Sequence, residues 1–382
     1  MSALKAGEVT ASLSDYVFIL FPIPQHVVLL VILGLWLWYW ELCILSWKMD
    51  IPRVIIANDP YDIRPQPSSS RILSGTRKCV VKITKIILPW HLLVFLILQK
   101  SFNVQQDLPT WLLVAINFSG LLQFLVILFI LLRSSAMLRR CLKGILFWGD
   151  IEGKPLRTNY VLLADTLTSY SKPFMDFGLY LWYLTLLPFD KKLTLTESSS
   201  EVFMNFDLAI GLLPYLIRFI QCLREYARLD NPWSTRRASF FNALKYFSYF
   251  PIIVCGLFSR ISPETFPSGT IYWFMLFNSC YSFWWDITMD WKLGLLDFSS
   301  TGVERNEILR KRRLYSNDWY YYGAIVFDFV VKFMWMWELL IKRVIVSWET
   351  NLLWLHTLEV FRRWIWTFFK VETEYLSVGT KK

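Results

Sequence analysis

Charged side chains recur at helical spacing inside apolar stretches of this sequence. Asp286 and Asp290 are four residues apart, and Asp328 and Lys332 are also four apart, so each pair would share one face of a helix. Trp335 follows Lys332 at a spacing of three residues, which adds an aromatic ring to that face. An ionisable residue in a membrane-spanning helix costs about 2.5–3.5 kcal/mol, so such residues indicate a function inside the bilayer.

A third charged group lies near the end of the chain. Glu359 is three and four residues before Arg362 and Arg363, which again places them together on a helix. Cations and carboxylates that converge from several helices would form a polar pocket or pathway. Guanidinium groups match tetrahedral oxyanions with two parallel hydrogen bonds, so the chemistry that these residues favour is the binding of an anion.

Each of these residues also has a simpler interpretation. Arg362, Arg363 and Lys245 could extend to the membrane surface from a helix end. Asp165, which stands among Thr and Ser residues, could cap a helix. Trp335 could belong to an interfacial aromatic belt. The sequence leaves these alternatives open for any single residue, and the convergence of several charged helices favours the pocket.

Composition determines the class of protein that must position these residues. Hydrophobic residues make up 55% of the 382 residues and charged residues 18%, whereas soluble domains carry about 25% charged residues. A soluble enzyme would need a more charged surface, and disorder needs low hydrophobicity. We therefore expect an all-α polytopic membrane protein.

Nine stretches are long and apolar enough to be membrane-spanning helices. We predict spans at 27–47, 83–99, 111–132, 161–187, 206–222, 240–258, 271–285, 319–340 and 351–369. The first three carry almost no charge, and the last six hold most of the intramembrane charges. This asymmetry predicts three peripheral helices at 27–135 and a functional bundle of six helices after them.

The distribution of Lys and Arg predicts the orientation. One set of alternate connections and the C-terminal segment hold 29 Lys and Arg residues, and the opposite set holds 7. Cytoplasmic loops carry the excess of positive charge. The N-terminus, residues 1–26, is therefore predicted in the lumen, and the tail, residues 373–382, in the cytosol. The net charge of +10 fits these loops, so we expect no nucleic-acid partner.

The sequence gives little support to a disulfide framework, a metal site or an enzyme. The six Cys are scattered and the chain has only three His, so we predict no disulfide framework, no metal site and no cofactor. The sequence lacks HExxH and GxSxG motifs, and we expect that the protein is not an enzyme. A metal held by Asp286 and Asp290, as in an intramembrane transferase, is a weaker alternative because such short motifs match by chance.

Five ordered motifs resemble the EXS-domain family. The matching runs are 163–169 (LADTLTS), 218–224 (RFIQCLR), 242–246 (NALKY), 285–291 (WDITMDW) and 358–364 (LEVFRRW). They lie in the order and at the spacing typical of the family and cover residues 160–372. The family includes phosphate exporters that carry an N-terminal SPX domain. We expect no SPX domain here, because the first span begins near residue 27, and the chain is most similar to short family members of the yeast Golgi.

The resemblance implies a function and a site. It implies export of inorganic phosphate, released by glycosylation, from the Golgi lumen to the cytosol, in support of Golgi glycosylation and the retention of resident proteins. The exporters' phosphate pathway maps onto Asp165, Thr168, Lys245, Tyr246, Asp286, Asp290, Lys332, Trp335, Arg362 and Arg363. Thr168 stands where the exporters have Asn, and Lys332 where they have Arg, which keeps the charge but loses the planar fork.

A second hypothesis is a trafficking factor that recycles Golgi glycosyltransferases. Its basic segment 305–313 and its tail would then bind cytosolic sorting proteins, and the intramembrane charges would be structural. The expected partners are inorganic phosphate and the lipid bilayer. Cytosolic Golgi sorting proteins and a second copy of the chain, as a homodimer, remain open as further partners.

Overall fold

The architecture is that of a helical bundle. The computed structural model describes residues 23–56, 66–104, 108–147, 154–186, 206–262, 269–294, 309–310, 312–336 and 348–379, and these ranges contain helices and no strand. The helices are α1 (Ile23–Ser46), α2 (Ser69–Val104), α3 (Thr110–Ser134), α4 (Ala136–Phe147), α5 (Lys154–Ser169), α6 (Ser171–Leu186), α7 (Phe206–Ala227), α8 (Trp233–Phe247), α9 (Phe250–Ile261), α10 (Thr270–Trp285), α11 (Trp319–Lys332) and α12 (Trp348–Gly379). The all-α class predicted from composition is confirmed.

Five helical segments of the described chain are long and apolar enough to cross a bilayer. They are Gln25–Ser46, Ser69–Ser101, Thr110–Ser134, Phe206–Ala227 and Trp233–Ile261. Helices suit these runs because every backbone polar group is bonded within the segment. The count of nine spans stays a prediction, and so do the division at residues 135–160 and the orientation. The predicted lumenal end, residues 1–26, lies largely outside the described residues, whereas most of the predicted tail belongs to α12, which continues to Gly379.

Three of the predicted spans are not continuous helices. The span 319–340 is interrupted at Phe333, directly after α11, and the other two break shortly before a proline. The predicted span 161–187 breaks at Tyr170, between α5 and α6, and the predicted span 240–258 breaks at Ser248 and Tyr249, between α8 and α9. Pro173 and Pro251 follow the two breaks. A proline donates no backbone hydrogen bond and its ring clashes with the carbonyl four residues earlier. The apolar pattern alone did not reveal the breaks.

The backbone is also irregular directly after α10. Residues Asp286–Asp290 form a π-helical turn, in which the Trp291 amide donates to the Asp286 carbonyl at 2.9 Å. The turn that joins Asp286 and Asp290 is therefore wider than the α-helical turn that we predicted, yet both carboxylates contact Lys245, at 2.7 and 3.5 Å. The wider turn inserts an extra residue, and such turns often occur at functional sites.

Helix α1 packs against the last helix of the bundle. Its Leu30 and Leu37 pack with Tyr170 and with Val360 of α12, and the Tyr170 hydroxyl donates to the Leu30 carbonyl at 3.0 Å. These contacts join α1 to the predicted functional bundle, and the peripheral position of the first three helices stays a prediction.

Small residues permit close contact between helices. Gly34 of α1 faces the Tyr170 hydroxyl, and a Cβ atom at position 34 would overlap with that oxygen. At the crossing of α6 and α7, Gly178 faces Ile210 and Gly211 faces Met175. Helices in membranes associate largely by such packing of small residues.

A buried carboxylate, that of Glu372 in α12, binds the connection that precedes α11. Glu372 forms an ion pair with Arg310 at 2.6 Å, and it accepts hydrogen bonds from the Tyr321 hydroxyl and the Leu314 amide, each at 2.6 Å. Arg310 also donates to the Trp291 carbonyl at 2.6 Å. This network holds α11, α12 and the π-turn together at one end of the bundle.

The contact between Gly34 and Tyr170 leads to a stability prediction. Gly34→Ala should lower the free energy of unfolding by about 1–3 kcal/mol, because the methyl group overpacks a well-filled contact. Gly75→Ala is the matched control, since nothing lies within 4 Å of a Cβ atom there. The control should raise stability by up to about 1 kcal/mol through helix propensity. Thermal unfolding in detergent measures both, and equal shifts for the two variants would contradict the packing assignment.

Candidate functional site

The two helix breaks and the π-turn surround a polar cavity of about 240 Å³. The first break contributes Thr168, Ser169 and Ser171, and the second contributes Lys245 and Tyr249. Helix breaks suit this role because their free backbone groups and polar side chains need a cavity rather than lipid around them.

Asp286 is the centre of the charge network beside this cavity. Its carboxylate is buried and contacts Lys245 at 2.7 Å and Lys332 at 2.6 Å. Arg362 lies 3.5 Å from the same carboxylate. Three cations from α8, α11 and α12 therefore share one anion. Removing one member of such a buried network leaves an uncompensated charge.

Arg362 has carboxylates on both sides. Its Nη1 donates to Asp328 at 3.1 Å, its Nε donates to Glu359 at 3.0 Å, and its Nη2 also contacts Glu359. Asp328 in turn lies 3.6 Å from Lys332. The interpretation that Arg362 reaches the membrane surface is wrong, because the side chain is buried and fully paired.

Arg363 differs from its neighbour. It is 8% exposed, and it donates to the hydroxyls of Ser169 at 2.9 Å and Thr168 at 3.1 Å. Within the described chain no carboxylate forms an ion pair with it, and its Nη1 has no hydrogen-bond partner. The guanidinium also lies over the Trp366 ring at 4.6 Å. A buried cation with neutral partners and a free donor beside a cavity is suited to an anionic ligand.

Asp165 belongs to a separate buried triad. Arg218 of α7 donates to its carboxylate from Nε at 2.6 Å, and the Tyr246 hydroxyl donates to it at 2.5 Å. Arg218 also donates to the Tyr246 oxygen at 3.0 Å. Asp165 lies within α5 rather than at a helix end, so the interpretation as a helix cap is wrong.

Lys245 and Asp290 extend the network beyond Asp286. Lys245 is buried and lies 3.5 Å from Asp290, so its predicted extension to the membrane surface is wrong. Lys370 contacts Asp290 at 2.9 Å. Both carboxylates are thus bonded to lysines, which disfavours the alternative of a metal between Asp286 and Asp290. No cluster of three metal-ligating residues occurs in the described ranges.

Trp335 lines the same cavity as Tyr246 of the triad. Its indole donates to the Ser279 hydroxyl at 3.0 Å, and its ring stacks on Tyr272, with centroids 6.2 Å apart and planes at 6°. Helix α11 ends at Lys332, so Trp335 lies beyond the helix on which we predicted it. Its ring contacts the site and is not part of an interfacial belt alone.

All ten residues of the predicted pathway belong to this network. Eight line the cavity, while Asp165 and Asp290 contact the lining residues Tyr246 and Lys245. The roles of the ten remain predictions. Sequence analysis placed Arg218, Asp328 and Glu359 among the intramembrane charges without assigning them to the site, and it missed Ser169 and Lys370. The spacing of Lys370, seven residues after Arg363, is the signal that could have revealed it. Glu338 lies outside the described residues.

Comparison with known proteins extends the family resemblance. The EXS family model matches residues 21–376, which includes the three N-terminal helices as well as the motif region. Protein ERD1 of Kluyveromyces lactis is 41% identical over 367 residues, which cover 93% of this chain and 94% of that protein. Protein ERD1 of Saccharomyces cerevisiae is 33% identical, with 93% of each chain covered.

A more distant relative matches over a shorter region. Human solute carrier family 53 member 1 is 31% identical over 234 residues, which are 56% of this chain and 32% of that protein. The family match covers nearly the whole bundle, and the described helices supply the membrane-spanning architecture. The chain therefore belongs to the EXS family and is a multi-pass membrane protein.

Proposed function

We propose that this protein transports inorganic phosphate across the Golgi membrane, from the lumen to the cytosol. The observation that carries the proposal is Arg363, a buried guanidinium beside the cavity with hydroxyl partners and a free Nη1. Lys245, Lys332 and Arg362 lie in the same cavity wall. A tetrahedral oxyanion would complete this set with charge-assisted hydrogen bonds.

The relatives support transport of a solute. The human relative is named as a solute carrier, and the EXS motifs resemble those of phosphate exporters. The Golgi location, the role in glycosylation and the retention of resident proteins follow from the resemblance to the short yeast members of the family. These assignments are part of the proposal.

The carboxylates of the site set how tightly the anion binds. Asp286, Asp328 and Glu359 already neutralise Lys332 and Arg362. An entering phosphate competes with them for the same cations. Conduction requires binding that is favourable enough for entry yet weak enough for release. The carboxylates therefore prevent the cavity from trapping its substrate.

Aromatic side chains bound the path at two levels. Trp335, stacked on Tyr272, would gate the side of the cavity nearest the start of α12, which the charge distribution predicts to be lumenal. Tyr246, held by Asp165 and Arg218, would gate the other side. The competing trafficking hypothesis depends on the basic segment 305–313 and the tail, residues 373–382. Of these, residues 305–308, 311 and 380–382 lie outside the described residues, so it remains an alternative.

Arg363→Gln provides the first test of the proposal. Gln keeps polar contact with Thr168 and Ser169 but removes the charge, so phosphate flux should fall at least tenfold, which corresponds to about 1.4 kcal/mol or more. The measurement is flux of labelled phosphate in proteoliposomes at equal protein incorporation.

Arg237→Gln is the matched control for this flux assay. Arg237 is an exposed arginine of α8, with its guanidinium 5.6 Å from the Phe241 ring, and it lies outside the cavity. Flux should stay within about twofold of wild type, as is usual for surface substitutions. Equal flux in Arg363→Gln and wild type, or no flux in a folded wild-type protein, would refute the proposal and favour the trafficking role.

The variant Asp286→Asn tests how the shared carboxylate affects the binding of phosphate and its release. Loss of the shared carboxylate leaves Lys245, Lys332 and Arg362 in excess, so the variant should be less stable by about 3–5 kcal/mol without phosphate. Phosphate should recover part of this stability, because the anion takes the place of the lost charge. The half-saturating phosphate concentration and the maximal flux should both fall.

Thermal unfolding with and without phosphate, together with concentration-dependent flux, measures these effects. Asp318→Asn is the control, because Asp318 lies outside the cavity and its side chain is 47% exposed. A rise in the half-saturating concentration for Asp286→Asn would contradict the competition between carboxylate and phosphate.

A further inference from the structure

A second concave site lies beyond the triad of Asp165, Arg218 and Tyr246. It is a pocket of about 60 Å³, and its lining includes the four arginines Arg157, Arg218, Arg224 and Arg228. Glu225 also lines it, at 3.6 Å from Arg157 and 3.8 Å from Arg228. Both contacts are longer than a hydrogen bond, and their arginine side chains are 41% and 36% exposed. Such exposed pairs contribute little and exchange partners readily.

The helical spacing places this pocket directly in line with the cavity. On α7, Gln221 lines the pocket, Arg218 lies at the triad and Tyr215 lines the cavity. These residues are three apart, so they form successive levels on one face of the helix. The pocket, the triad and the cavity are therefore three consecutive levels of the same wall.

Helices α5 and α8 repeat this order. On α5, Val161 lines the pocket, while Thr168 lines the cavity on the far side of Asp165. On α8, Asn242 lines the pocket and Tyr246 belongs to the triad. Three helices thus place the pocket at the end where residues 228–232 join α7 to α8. The surrounding segment, 223–245, holds five Lys and Arg residues, and the charge distribution predicts that this end faces the cytosol.

One layer separates the pocket from the cavity. It is the hydrogen-bonded triad, in which Arg218 lines the pocket and Tyr246 lines the cavity. On the cavity side, the stacked rings of Tyr215 and Tyr249 belong to the lining, with centroids 3.8 Å apart and planes at 12°. A charge that leaves the cavity towards this end meets Arg218 and then the remaining arginines.

We propose that this arginine pocket is a second anion site, at which phosphate from the cavity binds before it leaves the protein. The inference rests on the proposed function. Gln221 lines the pocket and accepts from Arg218 at 2.6 Å, so it holds that guanidinium at the edge of the pocket. The incoming anion replaces Glu225 as the partner of Arg157 and Arg228. Its class is a small tetrahedral oxyanion.

The test measures stabilisation of the purified full chain by potassium phosphate, with potassium chloride at equal ionic strength as the reference. A ligand that binds the native state raises the unfolding temperature according to its affinity. Two sites should give two phases in the dependence of the unfolding temperature on phosphate concentration. The double variant Arg157→Gln/Arg228→Gln should raise the half-maximal phosphate concentration of the pocket phase roughly tenfold. Arg363→Gln should remove the cavity phase. Combining all three substitutions should leave only the weakened phase of the pocket.

Two single variants sharpen the assignment. Glu225→Gln removes the carboxylate that competes for Arg157 and Arg228, so it should lower the half-maximal phosphate concentration of the pocket phase. Arg237→Gln removes one positive charge from the same end of α8, outside the pocket, and should leave both phases unchanged.

The outcomes separate the two proposals. A phosphate response unchanged by Arg157→Gln/Arg228→Gln, or reduced equally by Arg237→Gln, overturns the second site and leaves the proposed function intact. A response lost in the pocket variant but unchanged by Arg363→Gln supports the pocket and contradicts the proposed function. No response to phosphate in the wild-type protein overturns both.

Discussion

The sharing of one buried carboxylate by three cations is the interaction on which the site depends. Asp286 contacts Lys245, Lys332 and Arg362, which belong to three different helices. Charges in the interior of a membrane protein are costly unless they are paired. Each of the three helices therefore has to be in place before the charges of the others are compensated, and the network fixes their relative positions as well as the polarity of the cavity.

The irregular backbone is what makes room for this network. Pro173 and Pro251 follow the two breaks, and the π-turn carries Asp286 and Asp290. A regular helix would bond its own backbone groups and direct its side chains at constant intervals. The breaks release that constraint beside the cavity, so hydroxyls such as that of Ser169 can meet Arg363. Apolar packing of α1 against α12 holds the interrupted helices around the cavity.

Charge balance explains how a site can attract an anion and still release it. Arg362 is neutralised by Asp328 and Glu359, whereas Arg363 is held by hydroxyls. Arg362 supplies structural pairing and a moderate electrostatic field, and Arg363 supplies a hydrogen-bond donor, its Nη1, that has no partner among the described residues. The triad with Arg218 connects this balanced cavity to the arginine pocket, where the carboxylate of Glu225 is only loosely paired.

The sequence by itself determined the helical membrane class and the family, and it selected ten residues that the structure brings to one cavity, because apolar length and ordered motifs are local properties of the chain. It also determined that charges at helical spacing would converge. The tertiary structure decided which charges pair. Arg362 and Arg363 are adjacent in sequence yet differ in partners, and Asp165 finds Arg218 across 53 positions. The apolar pattern also missed the helix breaks and the contacts of α1 with α12, since hydropathy does not distinguish lipid from apolar protein as the neighbour of a side chain.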